Sequence, residues 1–182
     1  MNSRLFVSFI IILITFGGCG ESTAPTQSSD EITNTEYLVL ATIVNSLYHY
    51  SSDSVLVLID STCTGTYGYN LDSSLTNTLQ YVNQHISTLK LETMQDFKSK
   101  NLGYVYIHNP LKIHPACVLS SKVQKHYPII EVSRVGFSTN GLQALAYVGR
   151  MDAPLAGAGC YHVLSKEHGK WIIIGTVMIW IS

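Results

Sequence analysis

Cys160-Tyr-His-Val-Leu-Ser-Lys-Glu-His-Gly-Lys-Trp-Ile-Ile-Ile-Gly-Thr-Val-Met-Ile-Trp-Ile181 is the stretch that decides the fold. Cys160 to Lys166 and Lys170 to Ile181 are rich in Val, Ile, Tyr and Trp, the residues that suit a pleated, half-buried surface. His168-Gly169 between them is a tight-turn signal requiring positive φ, so the two runs pair as a hairpin. Two further runs of the same kind precede them, Ile129 to Ser138 and Gln143 to Arg150, joined at Asn140-Gly141. The link from Met151 to Gly159, rich in Gly and Ala, reads as looser chain. The last run is apolar on both faces, which predicts a central strand covered on both sides.

Towards the N-terminus the period changes. Tyr37, Leu40, Ala41, Val44, Leu47 and Tyr48 recur at helical spacing and predict a helix over Glu36 to Tyr50. Ser54 to Asp60 reads as a short buried strand, followed by a polar loop through Asn70. Leu75, Leu79, Val82, Ile86 and Leu89 mark a second helix with Asp72 or Ser73 as its cap. Thr93-Met-Gln-Asp96 resembles a capping box and would open a shorter helix to about Lys100. Tyr104 to Ile107 and Ala116 to Ser120 are further strand candidates. Helices first and a meander afterwards predict an α+β fold, with N-terminal helices packed on one face of a mainly antiparallel C-terminal sheet.

Ahead of this domain, Arg4 precedes an uncharged apolar run from Leu5 to Phe16, and Gly17-Gly18-Cys19 follows. Such a run is too short for the ~30 Å hydrocarbon core, which takes roughly 20 apolar residues, and has the layout of a secretory signal. Gly17-Gly18-Cys19 resembles the lipobox of bacterial lipoproteins, which implies a signal peptide over 1–18 and lipid attachment at Cys19. Gly20, rather than an aspartate, follows the cysteine; by resemblance to Gram-negative sorting this implies the outer membrane. Residues 19–33 contain almost no large apolar side chain and read as a flexible tether. Residues 34–182 then form a single domain of ordinary size. Hydrophobic residues make up 46% of the chain and charged residues 13%. That composition suffices to bury a sizeable core.

Charge is unevenly spread. Cys19 to Asp72 holds seven acids and no Lys or Arg, whereas Ser73 to Arg150 holds eight bases and three acids. The bases are scattered and not interleaved with stacking aromatics, so nucleic acid is not an expected partner; the two halves are expected to neutralise each other on packing. Once Cys19 is reserved for lipid, Cys63, Cys117 and Cys160 allow one disulfide at most, with three pairings open. His114-x-x-Cys117 and Cys160-x-His162 have ligand-like spacing, but no further pair completes a set, so no metal and no cofactor are expected.

Ser133-Arg-Val-Gly-Phe137, Ala144-Leu-Ala-Tyr-Val148, Gly157-x-Gly159, Tyr161-x-x-Leu-x-Lys166, Gly169-Lys-Trp171 and Trp180-Ile-Ser182 together resemble the C-terminal block of uncharacterised bacterial secreted and lipoprotein-like proteins. Ile59-Asp-Ser-Thr62 and Asp96-Phe97…Asn101 are similar to the N-terminal block, so the likeness covers most of the mature chain. Members often carry a cysteine pair in the glycine-rich link, and Asp152 to Ala156 here has none. The resemblance implies no established activity.

Hydrolase, zinc-protease and P-loop signatures are absent from the sequence. Asp60 ends one predicted buried strand and Arg134 lies inside another, and such charges must be paired or functional. With Thr62, Tyr147 and Tyr161 they make up a candidate ligand-binding pocket. The leading function is a non-enzymatic envelope lipoprotein, held to the membrane by its lipid and binding a small ligand or an envelope protein. The alternatives are a cell-envelope hydrolase using Asp60 or Glu131 with a histidine, and a structural or adhesive surface protein.

Overall fold

The computed structural model describes residues 31–48, 55–63, 71–120 and 128–182. The signal segment, Cys19 and the tether up to residue 30 lie outside the described residues, as does the polar loop from residue 64 to 70. The elements are α1 (Asn34–Leu47), β1 (Leu56–Ile59), α2 (Leu71–His85), α3 (Leu91–Lys100), β2 (Cys117–Ser120), β3 (Ile129–Val132), β4 (Gly136–Phe137), β5 (Gln143–Ala153), β6 (Ala156–Glu167) and β7 (Lys170–Ile181). Helices come first and the strands that dominate the sheet come last, an α+β fold.

One mixed sheet runs in the order β2-β1-β3-β5-β6-β7, with β4 pairing β5. β5, β6 and β7 form the antiparallel meander, while β1 is parallel to both β2 and β3. At the β6–β7 turn His168 and Gly169 both have positive φ, 48° and 81°. The His-Gly pair predicts this backbone.

The helices divide between the two faces of the sheet instead of sharing one. Val39, Leu40, Ile43 and Val44 of α1 pack with Ala144, Ala146 and Val148 of β5. Leu75, Leu79 and Val82 of α2, followed by Ile86, pack with Leu145 and Tyr147 on the opposite side, joined by Phe97 of α3. Strand alternation is the cause: β5 is apolar at both odd and even positions, so each face needs its own helical cover.

Several local expectations are corrected. β7 lies at the edge of the sheet rather than its centre, with Ile172 at 44% and Met178 at 51% exposure. Its run is apolar on both sides because Trp171 and Ile173 meet the α1 core whereas Val177 and Ile179 meet the α2 core. The Met151 to Gly159 link is not loose: β5 and β6 run through it with Met151 opposite Gly157 and Ala153 opposite Ala156. Glycine there marks close approach, since a Cβ on Gly159 would strike the Trp180 indole.

Tyr104 to Ile107 contributes only a bridge between Ser61 and Tyr106. The expected strand from Ile129 to Ser138 is interrupted at Ser133-Arg134-Val135. Three residues there face two on β5, which makes a bulge. Ser133 fills it by accepting the Tyr147 N–H on its Oγ at 2.8 Å.

The helix starts differ as well. α1 opens on a capping box at Thr33–Glu36. Thr33 Oγ1 accepts from Glu36 N at 3.2 Å, and Glu36 Oε2 accepts from Thr33 N at 2.9 Å. α2 already includes Leu71, ahead of the expected caps at Asp72 or Ser73. α3 starts at Leu91 without a capping box of its own. Gln143 of β5 serves it instead, satisfying donors that a helix start leaves open. Its Oε1 accepts from Lys90 N (2.8 Å) and Thr93 Oγ1 (3.0 Å), while its Nε2 donates to Thr88 O (2.8 Å). Asp96, freed from that role, accepts from Phe137 N at 2.7 Å and from Lys100 at 2.8 Å.

Candidate functional site

The five residues singled out from sequence do not converge. Asp60 is half-buried and held by its backbone, donating to Ser120 O at 3.2 Å and accepting from Ile107 N at 2.7 Å. Thr62 is buried, and its Oγ1 accepts from Val105 N at 2.9 Å. Arg134 turns towards α1, where Nε and Nη2 donate to the two oxygens of Glu36 at 2.7 and 3.1 Å. Asp60 is therefore not its partner. Tyr147 and Tyr161 lie on the α2 and α3 side, ring centroids 5.4 Å apart, with Tyr161 edge-on to Phe97.

Around Tyr147 the structure collects a polar group. Its hydroxyl accepts from Trp180 Nε1 at 3.0 Å, and Cys63 Sγ donates to Glu131 Oε2 at 3.4 Å. Both the Tyr147 hydroxyl and Glu131 Oε2 crowd the Cβ direction of Gly149, so they share one corner of this face. Burial raises the Tyr161 hydroxyl pKa, and the nearby Cys63 adds to the effect.

A concave site lies on the other face, between the end of α1 and strands β5, β6 and β7. It has a volume of about 460 Å³. Leu47, Val148, Ala158 and Ile181 supply apolar wall, and Arg150, Asp152, Cys160 and His162 supply the polar groups. Alternation along the strands places these side chains together: Val148 and Arg150 follow one face of β5, and Cys160 and His162 the same face of β6.

Arg150 is fixed on three sides. Its Nε donates to Asp152 Oδ1 at 2.6 Å, its Nη1 donates to the Leu47 carbonyl at 3.2 Å, and its guanidinium lies 4.5 Å over the Tyr48 ring. It thus closes the C-terminal end of α1, where a cation suits the helix dipole. His162 is 3% exposed, and its Nδ1 is 3.0 Å from Thr176 Oγ1. Its Nε2 has no hydrogen-bond partner among the described residues. Burial pushes its imidazole down to about 4 and raises the Cys160 thiol, so both are neutral near pH 7.

Cys160-x-His162 is visible in the sequence as a pair sharing a strand face, whereas Arg150 and Asp152 carry no motif. All three described cysteines, Cys63, Cys117 and Cys160, are free thiols, so no disulfide joins them. Among the described residues no group of three or more His, Cys, Asp or Glu side chains could hold a metal, and no helix is long and apolar enough to cross a membrane. The chain matches no family model, no curated protein and no solved structure.

Proposed function

We propose that this protein is a bacterial envelope lipoprotein, anchored through Cys19 at the outer membrane, whose α+β domain is a non-enzymatic module binding a small ligand in the Arg150–His162 cavity. The cavity carries the reading. Its volume is about 460 Å³, lined mainly by apolar side chains with a few placed polar groups. Small-molecule sites have this form. The residues that the sequence alone marks for chemistry are engaged elsewhere: Arg134 with Glu36, Thr62 with Val105, Tyr147 with Trp180. Glu131, the carboxylate of the hydrolase alternative, lies beside Tyr147, on the face opposite His162. Gly17-Gly18-Cys19, and the likeness of the C-terminal block to secreted and lipoprotein-like proteins, support the envelope location. A partner-protein reading draws on β7, an edge strand with Ile172, Ile174 and Met178 half exposed.

Backbone resonances recorded while a library of small molecules is added test the two readings. Shifts centred on Val148, Ala158 and His162, abolished by Ala158→Phe, are expected. Shifts confined to the outer edge of β7 on addition of envelope extract, with none in the cavity, would overturn the small-ligand reading.

A further inference from the structure

We propose that the cavity takes an apolar molecule bearing a carbonyl-type oxygen, charged or not, that accepts a hydrogen bond from Arg150 Nη2. The inference rests on the cavity being a binding site, as proposed above, and adds the chemistry of its occupant.

Arg150 carries the argument because its contacts leave one nitrogen over. Nε donates to Asp152 Oδ1 at 2.6 Å and Nη1 donates to the Leu47 carbonyl at 3.2 Å. On the rim of the planar guanidinium Nη2 lies between those two nitrogens. Asp152 and Leu47 both line the cavity, so the nitrogen between their contacts is turned to the same space. Nη2 has no hydrogen-bond partner among the described residues. It is not a buried atom either, in a side chain that is 35% exposed. An open N–H donor calls for an acceptor.

This donor is also held in place. The ion pair, the carbonyl contact and the Tyr48 ring, 4.5 Å from the guanidinium, fix Arg150 before any ligand arrives. A ligand oxygen meets a preset N–H, and little side-chain freedom is lost on binding. Asp152, the competing handle for a ligand amine, is held only by Arg150 among the described residues and is 47% exposed to water.

The walls decide the rest of the molecule. Leu47, Val148, Ala158 and Ile181 surround this polar end with apolar surface, so the body of the occupant is apolar. Arg150 and Asp152 offset each other's charge at 2.6 Å, so a carboxylate and an uncharged carbonyl both suit the site. The oxygen is the shared feature.

Four probes of similar shape separate these demands: 2-naphthoate, methyl 2-naphthoate, naphthalene and 2-naphthylmethylammonium. Each is equilibrated by dialysis with the full chain at pH 7, which fixes the free concentration whatever a membrane takes up. Shifts of the Val148 and Ala158 amides give affinity, and the Arg150 Cζ shift, read in the unsubstituted protein, reports the contact itself. At least one carbonyl probe is expected to bind about fivefold or more tightly than naphthalene, the increment of one hydrogen bond, and to move Cζ. Naphthoate ahead of its ester assigns an acid; the ester level or ahead assigns an uncharged carbonyl compound. Arg150→Met is expected to remove the advantage while naphthalene binding persists, with amide dispersion confirming the fold. Naphthalene as tight as both carbonyl probes, or an unmoved Cζ, overturns the carbonyl assignment and leaves the cavity reading standing. Tightest binding by the ammonium, lost in Asp152→Asn, overturns it in favour of a cationic ligand. No cavity shift with any probe overturns both.

Discussion

Glu36 and Arg134, 98 positions apart, form an ion pair in which both side chains are at most 2% exposed. The same carboxylate closes the capping box of α1 and accepts from Val135 N at 3.1 Å. One side chain thus joins the start of α1 to the bulge between β3 and β4. It also draws the acidic N-terminal half of the chain onto the basic half that follows. Burial raises the Glu36 pKa, but the hydrogen bonds from Arg134, Thr33 and Val135, with the charge of Arg134, outweigh that and hold the carboxyl below its ordinary value.

Removing one partner of a buried pair leaves an uncompensated charge, which costs about 3–5 kcal/mol. Arg134→Met is therefore expected to destabilise the domain by that order in urea unfolding. The double substitution with Glu36→Leu is expected to recover part of the loss, though not all, because Thr33 N and Val135 N then lose their acceptor. A single-substitution effect near zero would show that the pair is not the tie described.

That Arg134 needs a partner is legible in the sequence, because a charge inside an apolar run is costly unless compensated. The partner's identity is not. Glu36 belongs to a Thr-x-x-Glu signal that marks the start of α1, and nothing local connects it to position 134. The turns before β5 and between β6 and β7 are readable from Asn140-Gly141 and His168-Gly169, since register in hairpins is local information, whereas the β5–β6 turn carries no such pair and reads as loose chain. The edge position of β7 is not readable: an apolar run reports that both faces are covered, whereas strand order depends on β3 taking the far side of β5. The cavity arises in the same way. Val148 with Arg150, and Cys160 with His162, each share a face by simple alternation, but Leu47 of α1 meets them only through tertiary packing.

The leucine stripe of α2 supplies a second expectation. Leu79 is 5% exposed and packs in the cluster with Val82, Tyr161 and Val177. Leu79→Ala is expected to cost about 2–5 kcal/mol, as buried leucine truncations do. A loss below ~0.5 kcal/mol, the range of surface substitutions, would place the stripe against solvent or a partner.

Gly136 marks where α3 meets β4 most closely. A Cβ built there would run into N, Cα and Cβ of Phe97, two of them backbone atoms that no rotamer change can move. Gly136→Ala is expected to cost about 1–3 kcal/mol or more through overpacking. Gly103→Ala, with nothing within 4 Å of its Cβ, is the matched control and should stay close to neutral. Equal effects at the two positions would mean that α3 lies further from β4 than described.

The proposed lipid attachment at Cys19 can be tested independently of the domain. Stable membrane binding takes more than one acyl chain, at about 0.8 kcal/mol per buried CH₂. Cys19→Ser should abolish incorporation of labelled fatty acid and leave the precursor, with its apolar Leu5–Phe16 run, unprocessed. Normal processing with continued membrane association in the serine variant would remove the lipoprotein reading, while the fold and the cavity stand unaffected.

His162 gives the domain a pH dependence separable from that of Glu36. Its imidazole titrates at about 4 when folded, against an ordinary 6.5, with burial as the cause. The unfolded chain binds this proton as pH falls through 6.5, and the folded chain refuses it until about 4, so the unfolded state holds more protons throughout that window. The neutral-histidine contribution is therefore fully present above pH 6.5, declines as pH drops towards 4, and falls no further below. A gap of this size is worth roughly 3 kcal/mol. Glu36 behaves in the same direction but lower: its contribution is complete above 4.5 and is lost as pH falls through its depressed folded value. Urea unfolding of the wild type from about pH 8 down to the edge of the Glu36 range is expected to show the histidine slope, and His162→Gln to flatten it. An unaltered slope in His162→Gln would assign the pH dependence to another group and show that His162 is not held neutral by its burial.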